Sequence, residues 1–359
     1  MHSSLSLIAL LLGFVVRAQP APSADVVGAL DRYVRAEMEA RHIPGLALAV
    51  VQGDSVVYAR GYGFADLAHR VLATDSTAFV IASITKTFTA VAVLSLVEEG
   101  RVALDDPIGR HVADLPEAWR GATVRQLLQQ TSGINSFNAH DAPPCPSGAT
   151  LGPGYTTRDA LAEVACLPLD FAPGTDWSYS DSGYLLLGLL LETVSGQTYE
   201  GLLENRIFAP LGMTSTRLLD AGAIVPQLAR GYTWEDGAFR NGPELIGAVE
   251  FSTGGLVSTV HDLARWAAAL GSPRLLQAAT WAEAWTPAPV GEAVYGMGFA
   301  LRPVEGRRHV GHTGGGPSAA TTLSVFPDDG LAVIVLTNAD QPPFTIRDVG
   351  VGVARLFLD

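Results

Sequence analysis

Ser83 and Lys86 stand three residues apart in the segment IASITKTFTA, Ile81 to Ala90. On a helix this spacing puts both side chains on one face, where an amine reaches a hydroxyl. An uncharged amine there takes the hydroxyl proton and leaves a nucleophilic oxygen. Lys86 is also the only lysine among the 23 Lys and Arg of the chain. Arginine cannot give up its proton in a protein, whereas a buried lysine shifts its pKa readily. A proton-transfer role would explain the one lysine, and so would drift. A helix start beside the pair adds unpaired N–H groups and a positive dipole end, which favour an oxyanion and disfavour an ammonium. Moving a lysine from about 10.4 to about 7 takes roughly 5 kcal/mol of such bias. Ser83 alone also suits a helix N-cap, and a bare S-x-x-K recurs by chance.

Two further stretches add to the pair. WSYSDSGYLLLG sets Tyr179 in a polar loop just before a helix, with Asp181 two residues on. RHVGHTGGGPS sets His312, Thr313 and Gly314 at the end of a strand. A phenol can pass a proton between nucleophile and leaving group. The strand can supply a backbone N–H, that of Gly315, as a second oxyanion donor beside the N–H of Ser83. Taken singly, Tyr179 is equally a packed aromatic and the glycine run a tight turn. Other chemistries lack their signatures: there is no G-x-S-x-G, no H-E-x-x-H and no G-x-x-x-x-G-K-[ST], and the eight histidines are scattered. Neither a metal nor a cofactor is expected.

In this order the motifs resemble those of the serine β-lactamase and penicillin-binding-protein-like family. The likeness is strongest to its class C β-lactamase, D,D-peptidase and related esterase branch. Ser83-x-x-Lys86 is similar to its nucleophile motif, Tyr179-Ser180-Asp181 to its Tyr-x-Asn motif, and His312-Thr313-Gly314 to its Lys-Thr-Gly or His-Thr-Gly motif. LLQQTSGI, FAPGTDWSYS, IFAPLGMTSTR and STGGLVSTVHDLARW look like further landmarks, so the likeness runs from about Leu30 to Phe357. It implies an α/β plus α fold, an antiparallel sheet with flanking helices built by both chain ends around a helical insertion. It also implies a covalent acyl-enzyme without a cofactor. Ser83 would be the nucleophile, Lys86 and Tyr179 would share the acid and base roles, and Asp181, His312, Thr313, Gly314 and Gly315 would line the site. Asp181 in place of Asn, and His312 in place of Lys, weaken the help offered to an anionic amide substrate, since a carboxylate cannot donate a hydrogen bond. The expected activity is hydrolysis of an ester, or of a D-amino-acid peptide or β-lactam amide, with esters and small peptides favoured over β-lactams. The alternative is a penicillin-binding or sensor protein that acylates and turns over poorly. The partner in either case is a small molecule or short peptide.

The elements that must position these residues follow from periodicity. Apolar residues recur at helical spacing from Ala24 to His42, until Pro44-Gly45. LALAVVQ and SVVYARG flank Gly53-Asp54 as a hairpin, and SAATTLSVF and LAVIVLTN flank Asp328-Asp329-Gly330 as another. VYGMGFAL, ahead of these, also reads as a strand. Between the β-rich ends the chain is mainly helical, with stretches at 83–99, 123–130, 183–194, 198–207 and 259–270. The expected division is an α/β domain from 24–82 and 288–359 and a mainly helical domain from 83–287, with the site at the seam. Residues 1–18 read as a secretory signal peptide, cleaved there or as late as 21, because the apolar run Leu5–Val16 is too short for a membrane span. A secreted or periplasmic protein with no stable membrane span after cleavage is therefore expected. Its two cysteines, Cys145 and Cys166, would either bridge or stay buried apart. A net charge of −13 argues against nucleic-acid binding.

Overall fold

The computed structural model describes residues 21–138, 144–146, 154–220, 222–243, 247–316, 318–340 and 343–358. The expected signal peptide lies outside the described residues. Helix α1 (Ala24–Ala40) is capped by Ser23, whose Oγ accepts from the Val26 N–H. A hairpin follows, β1 (Gly45–Gln52) and β2 (Ser55–Asp66), turned at Gly53 with φ 56°. Then come the short strands β3 (Val71–Leu72) and β4 (Phe79–Val80), one 3-10 turn at Ala82–Ile84, and α2 (Thr85–Glu98). The middle of the chain carries α3 (Glu117–Arg120), α4 (Val124–Leu128), α5 (Thr157–Ala162), α6 (Asp181–Ser195), α7 (Tyr199–Leu203) and α8 (Ala209–Leu211). After β5 (Arg217–Leu218) and the hairpin β6 (Tyr232–Glu235) and β7 (Ala238–Asn241) come α9 (Gly247–Gly254), β8 (Leu256–Ser258), α10 (Val260–Ala269) and α11 (Ala278–Ala284). The chain closes with β9 (Val310–Gly316), β10 (Ala319–Phe326), β11 (Leu331–Thr337) and α12 (Pro343–Arg355).

Six strands form one antiparallel sheet in the order β3-β2-β1-β11-β10-β9. Its centre joins the two ends of the chain: Leu46 to Gln52 pair with Thr337 to Leu331. Successive residues of a strand face opposite sides. Leu46, Leu48 and Val50 therefore pack with α1 and α12, together with Leu30, Val34 and Val349. Ala47, Ala49 and Val51 pack on the helical side, in the core that holds Phe88, Trp266 and Leu187. Burial on both faces explains why LALAVV is an unbroken apolar run instead of an alternating one. On the helical side α2 is almost wholly buried, and Phe88 stacks on Trp266 with ring centroids 4.1 Å apart.

VYGMGFAL is not a strand. Gly298, at φ 84°, turns the run back on itself, and Tyr295 and Ala300 make only an isolated bridge. A side chain at Gly298 would meet the Ala90 Cβ at 2.4 Å, so the turn also seats tightly on α2. Cys145 and Cys166 are joined by a disulfide around the segment that carries α5.

Candidate active site

The turn before α2 is unusual for its residues. Ala82 has φ 45°, a region that costs a non-glycine residue about 1–2 kcal/mol. It is held there from behind. Thr321 Oγ1 of β10 donates to the Ile81 carbonyl at 2.9 Å, and the Ile81 N–H donates to Leu256 O. Gly314 of β9 presses on the same turn: a Cβ there would lie 2.3 Å from both Ile81 O and Thr321 Oγ1. Only glycine lets the strand come this close. Ser83 is thus inside a 3-10 turn ahead of α2 and caps nothing.

Lys86, one turn on, is fully buried. Its Nζ donates to Ser83 Oγ at 2.9 Å and to Thr253 O at 2.8 Å, and lies 2.5 Å from Asp181 Oδ1. Three acceptors suit an ammonium, which has three hydrogens. Asp181 begins α6, after the cap Ser180. Burial pushes its carboxyl up, but Lys86 and hydrogen bonds from Lys86, Thr253 and Asn138 outweigh this and hold it below the usual carboxylate range. Tyr179, two residues earlier, lines the same cleft as Ser83, and Lys86 Nζ lies 4.9 Å from its ring centre. Burial and then the Asp181 charge push this phenol well above its ordinary value.

His312 lies within β9, not at its end. Its Nδ1 meets Thr313 O at 2.6 Å and its Nε2 meets the Tyr295 hydroxyl at 2.9 Å. Nδ1–H therefore donates to the carbonyl, and Nε2 accepts from Tyr295. Burial first, then Lys86, push the imidazole down to about 3. It is neutral, with both nitrogens engaged. Glu250, near the Ser83 turn but outside the cleft lining, has its carboxyl pushed up to about 7 by burial and by Asp181.

Ser83, Tyr179, Asp181, His312, Thr313 and Gly315 line one cleft of about 510 Å³, whose far wall is Trp177 and the segment 290–295. Lys86 lies beneath it and Gly314 behind it. The disulfide does not line it. Among the described residues no group of His, Cys, Asp and Glu could hold a metal ion, and no helix is long and apolar enough to cross a membrane. Sequence reasoning missed Tyr295, Glu250 and Thr253. Thr253 sits in the STGGLVST landmark, Tyr295 was assigned to a strand, and Glu250 carried no signal.

Comparison with known proteins agrees with this geometry. The family model described as Beta-lactamase matches residues 30–352. The chain belongs to the beta-lactamase family. Protein flp of Staphylococcus aureus (strain N315) is 33% identical over 192 residues, 52% of this chain and 37% of flp. The chain thus aligns with little more than a third of that relative's length. Among solved structures, an octameric penicillin-binding protein homologue from Pyrococcus abyssi superposes with a TM-score of 0.78 at 28% identity, over 92% of this chain and 77% of that one. A D-stereospecific amidohydrolase from Streptomyces sp. superposes with a TM-score of 0.77 at 26% identity, over 92% and 98%. The β-lactamase/transpeptidase-like fold read from the sequence is the fold of this family.

Proposed function

We propose that this beta-lactamase-family protein is an exported serine hydrolase that works through an acyl-enzyme on Ser83. The observation that carries the reading is the set around one oxygen: Ser83 Oγ receives a hydrogen bond from Lys86 at 2.9 Å, with the Tyr179 phenol beside it in the same cleft. The Lys86 ammonium, fixed by Asp181, stabilises negative charge growing on Oγ. Neither it nor the neutral phenol is a strong base alone. Tyr179 therefore acts as a relay. It takes the Ser83 proton as it gives its own to the leaving oxygen or nitrogen. The acyl–Oγ bond forms and the scissile bond breaks. Water then enters, its proton returns through Tyr179 to Ser83, and the acid is released.

His312 narrows the substrate. Being neutral and engaged at both nitrogens, it offers no cation to a substrate carboxylate. Asp181 adds a negative charge in the same cleft. Both favour esters and D-amino-acid amides without a carboxylate beside the scissile bond over β-lactams. Likeness to the D-stereospecific amidohydrolase supports the amide arm of this reading.

The test combines turnover and labelling. Chromogenic neutral esters and D-aminoacyl amides should turn over faster than a cephalosporin. A fluorophosphonate should add one label per chain by intact mass, and Ser83→Ala should abolish it. Full labelling of that variant would move the nucleophile elsewhere. A single burst of product without turnover would select the acylating sensor instead.

A further inference from the structure

Two carboxyls share one cation beneath the cleft. Lys86 spends its three hydrogens on Ser83, Thr253 and Asp181. None is left for Glu250, and no described residue donates a hydrogen bond to the Glu250 side chain. Yet Glu250 is held close. The helix α9 breaks at Phe251, with φ 28° and ψ −117°, and the chain folds back on the Glu250 carboxyl. A Cβ on Gly254 would lie 2.6 Å from Glu250 Oε2 and 3.7 Å from the Ala82 carbonyl carbon, so the carboxyl sits beside the turn that bears Ser83. The strap cannot swing outward cheaply. Ser252 Oγ donates to Tyr184 O at 2.8 Å, Thr89 Oγ1 donates to Ser252 O at 2.6 Å, and the Thr253 hydroxyl donates to Asp181.

The elements packed against α9 are α2, α5, α6, β8 and the Ala82–Ile84 turn. The charges that act on Glu250 are Asp181 of α6 and Lys86 of α2, and Glu250 acts in turn on the Tyr179 phenol. Glu98 and Glu192 lie toward the far ends of α2 and α6. On α5, Arg158 is exposed and Asp159 is tied to Thr156. The turn and β8 carry no charge.

We propose that Glu250 is a positioning residue which keeps its proton in the working enzyme, and whose ionisation sets the alkaline limit of acylation. A second, partly buried carboxylate beside an ammonium already paired with Asp181 leaves a net negative charge, so the carboxyl with no donor from the protein is the one that stays neutral. Once ionised, it opposes both negative charge on Tyr179 and the oxyanion forming at Ser83. Its ordinary value is raised to about 7 by burial and Asp181. The neutral form therefore dominates below neutrality, and the rate falls as pH rises through that value. The inference rests on the serine-hydrolase reading.

The experiment compares wild type with Glu250→Gln, which mimics the neutral form. For a neutral chromogenic ester, wild-type kcat/KM should fall about tenfold between about pH 6 and about pH 8.5, the effect of one partly screened charge at this range. The Gln variant should be flat across the same window. The rate of Ser83 labelling by a fluorophosphonate should give the same two profiles without needing turnover. A Gln variant that keeps the wild-type decline overturns the proposal. So does one inactive at every pH, which would make the carboxylate the working form. Infrared difference spectra should show a protonated-carboxyl band at about pH 6 in wild type and not in Glu250→Gln. Absence of that band also overturns it, whereas a present band with no turnover of any substrate counts against the hydrolase reading alone.

Discussion

Asp181 sets the charge of the cluster around Ser83 and Lys86. It is the counter-ion of the chain's single lysine, at 2.5 Å. Removing one partner of a buried pair costs about 3–5 kcal/mol, because the other charge is left uncompensated. Asp181→Asn should therefore lower the urea midpoint at neutral pH. The carboxyl is held below its unfolded value, so its contribution is present above about pH 4 and lost as pH falls through the folded value. Urea midpoints of the two proteins should differ by a constant amount near neutrality and converge as acid protonates the wild-type carboxyl. A gap that persists unchanged at low pH would show that Asp181 stabilises by packing, not by charge. That Ser83 and Lys86 meet was legible in their local spacing, and that Tyr179 joins them only in the order of the motifs that resemble the family's. The protonation states were not. Lys86 reads as a group made to lose its proton, and only the fold shows that a carboxylate, a carbonyl and a hydroxyl each claim one of its hydrogens. Glu250 was illegible for the same reason: its meaning comes from a backbone break one residue later.

At the scale of elements, the site depends on how closely β9 approaches the turn at Ala82. Gly314 sets that distance. Gly314→Ala places a methyl group against two oxygens at contact distances no real Cβ shows, so the strand or the turn must shift. Overpacking of this kind costs about 1–3 kcal/mol. A displaced turn moves Ser83 relative to Gly315, and a shift of about 1 Å in such a geometry costs roughly a hundredfold in rate. We expect fluorophosphonate labelling to slow by about that factor, with a fall in melting temperature. Labelling at the wild-type rate would show that the approach is not critical. Periodicity located α1, α2, α6, α10 and the strands β1, β10 and β11 within a few residues, and missed α12. It failed at VYGMGFAL, where alternating apolar residues concealed a glycine turn, and at Ser83, where a helix start is a tighter 3-10 turn under strain.

At the scale of the molecule, the sheet is a closure. Residues 45–52 lie beside residues 331–337, with the helical part of the chain between them in sequence. A chain lacking β11 leaves β1 and β10 as bare edges with no partner at the sheet centre. Truncation before Leu331 should therefore abolish cooperative unfolding, seen as loss of the thermal transition by calorimetry, and should abolish Ser83 labelling. A truncated chain that still melts sharply would show that the helical part folds on its own. The two hairpin turns at 53–54 and 328–330 announced both halves of this sheet in the sequence. Which strand would lie next to which could not be read there, because pairing across this separation leaves no local trace.

That closure also orders events during synthesis. Ser83 and Lys86 leave the ribosome before β9, β10 and β11, which hold the turn and complete the cleft wall. Contacts between sequence-distant strands form slowly. Until those strands emerge, the nascent chain carries the proposed nucleophile without a completed site around it. If the chain is exported as proposed, the site is assembled only after β9, β10 and β11 have followed Ser83 across the membrane, and the compartment that makes the chain is never exposed to its activity.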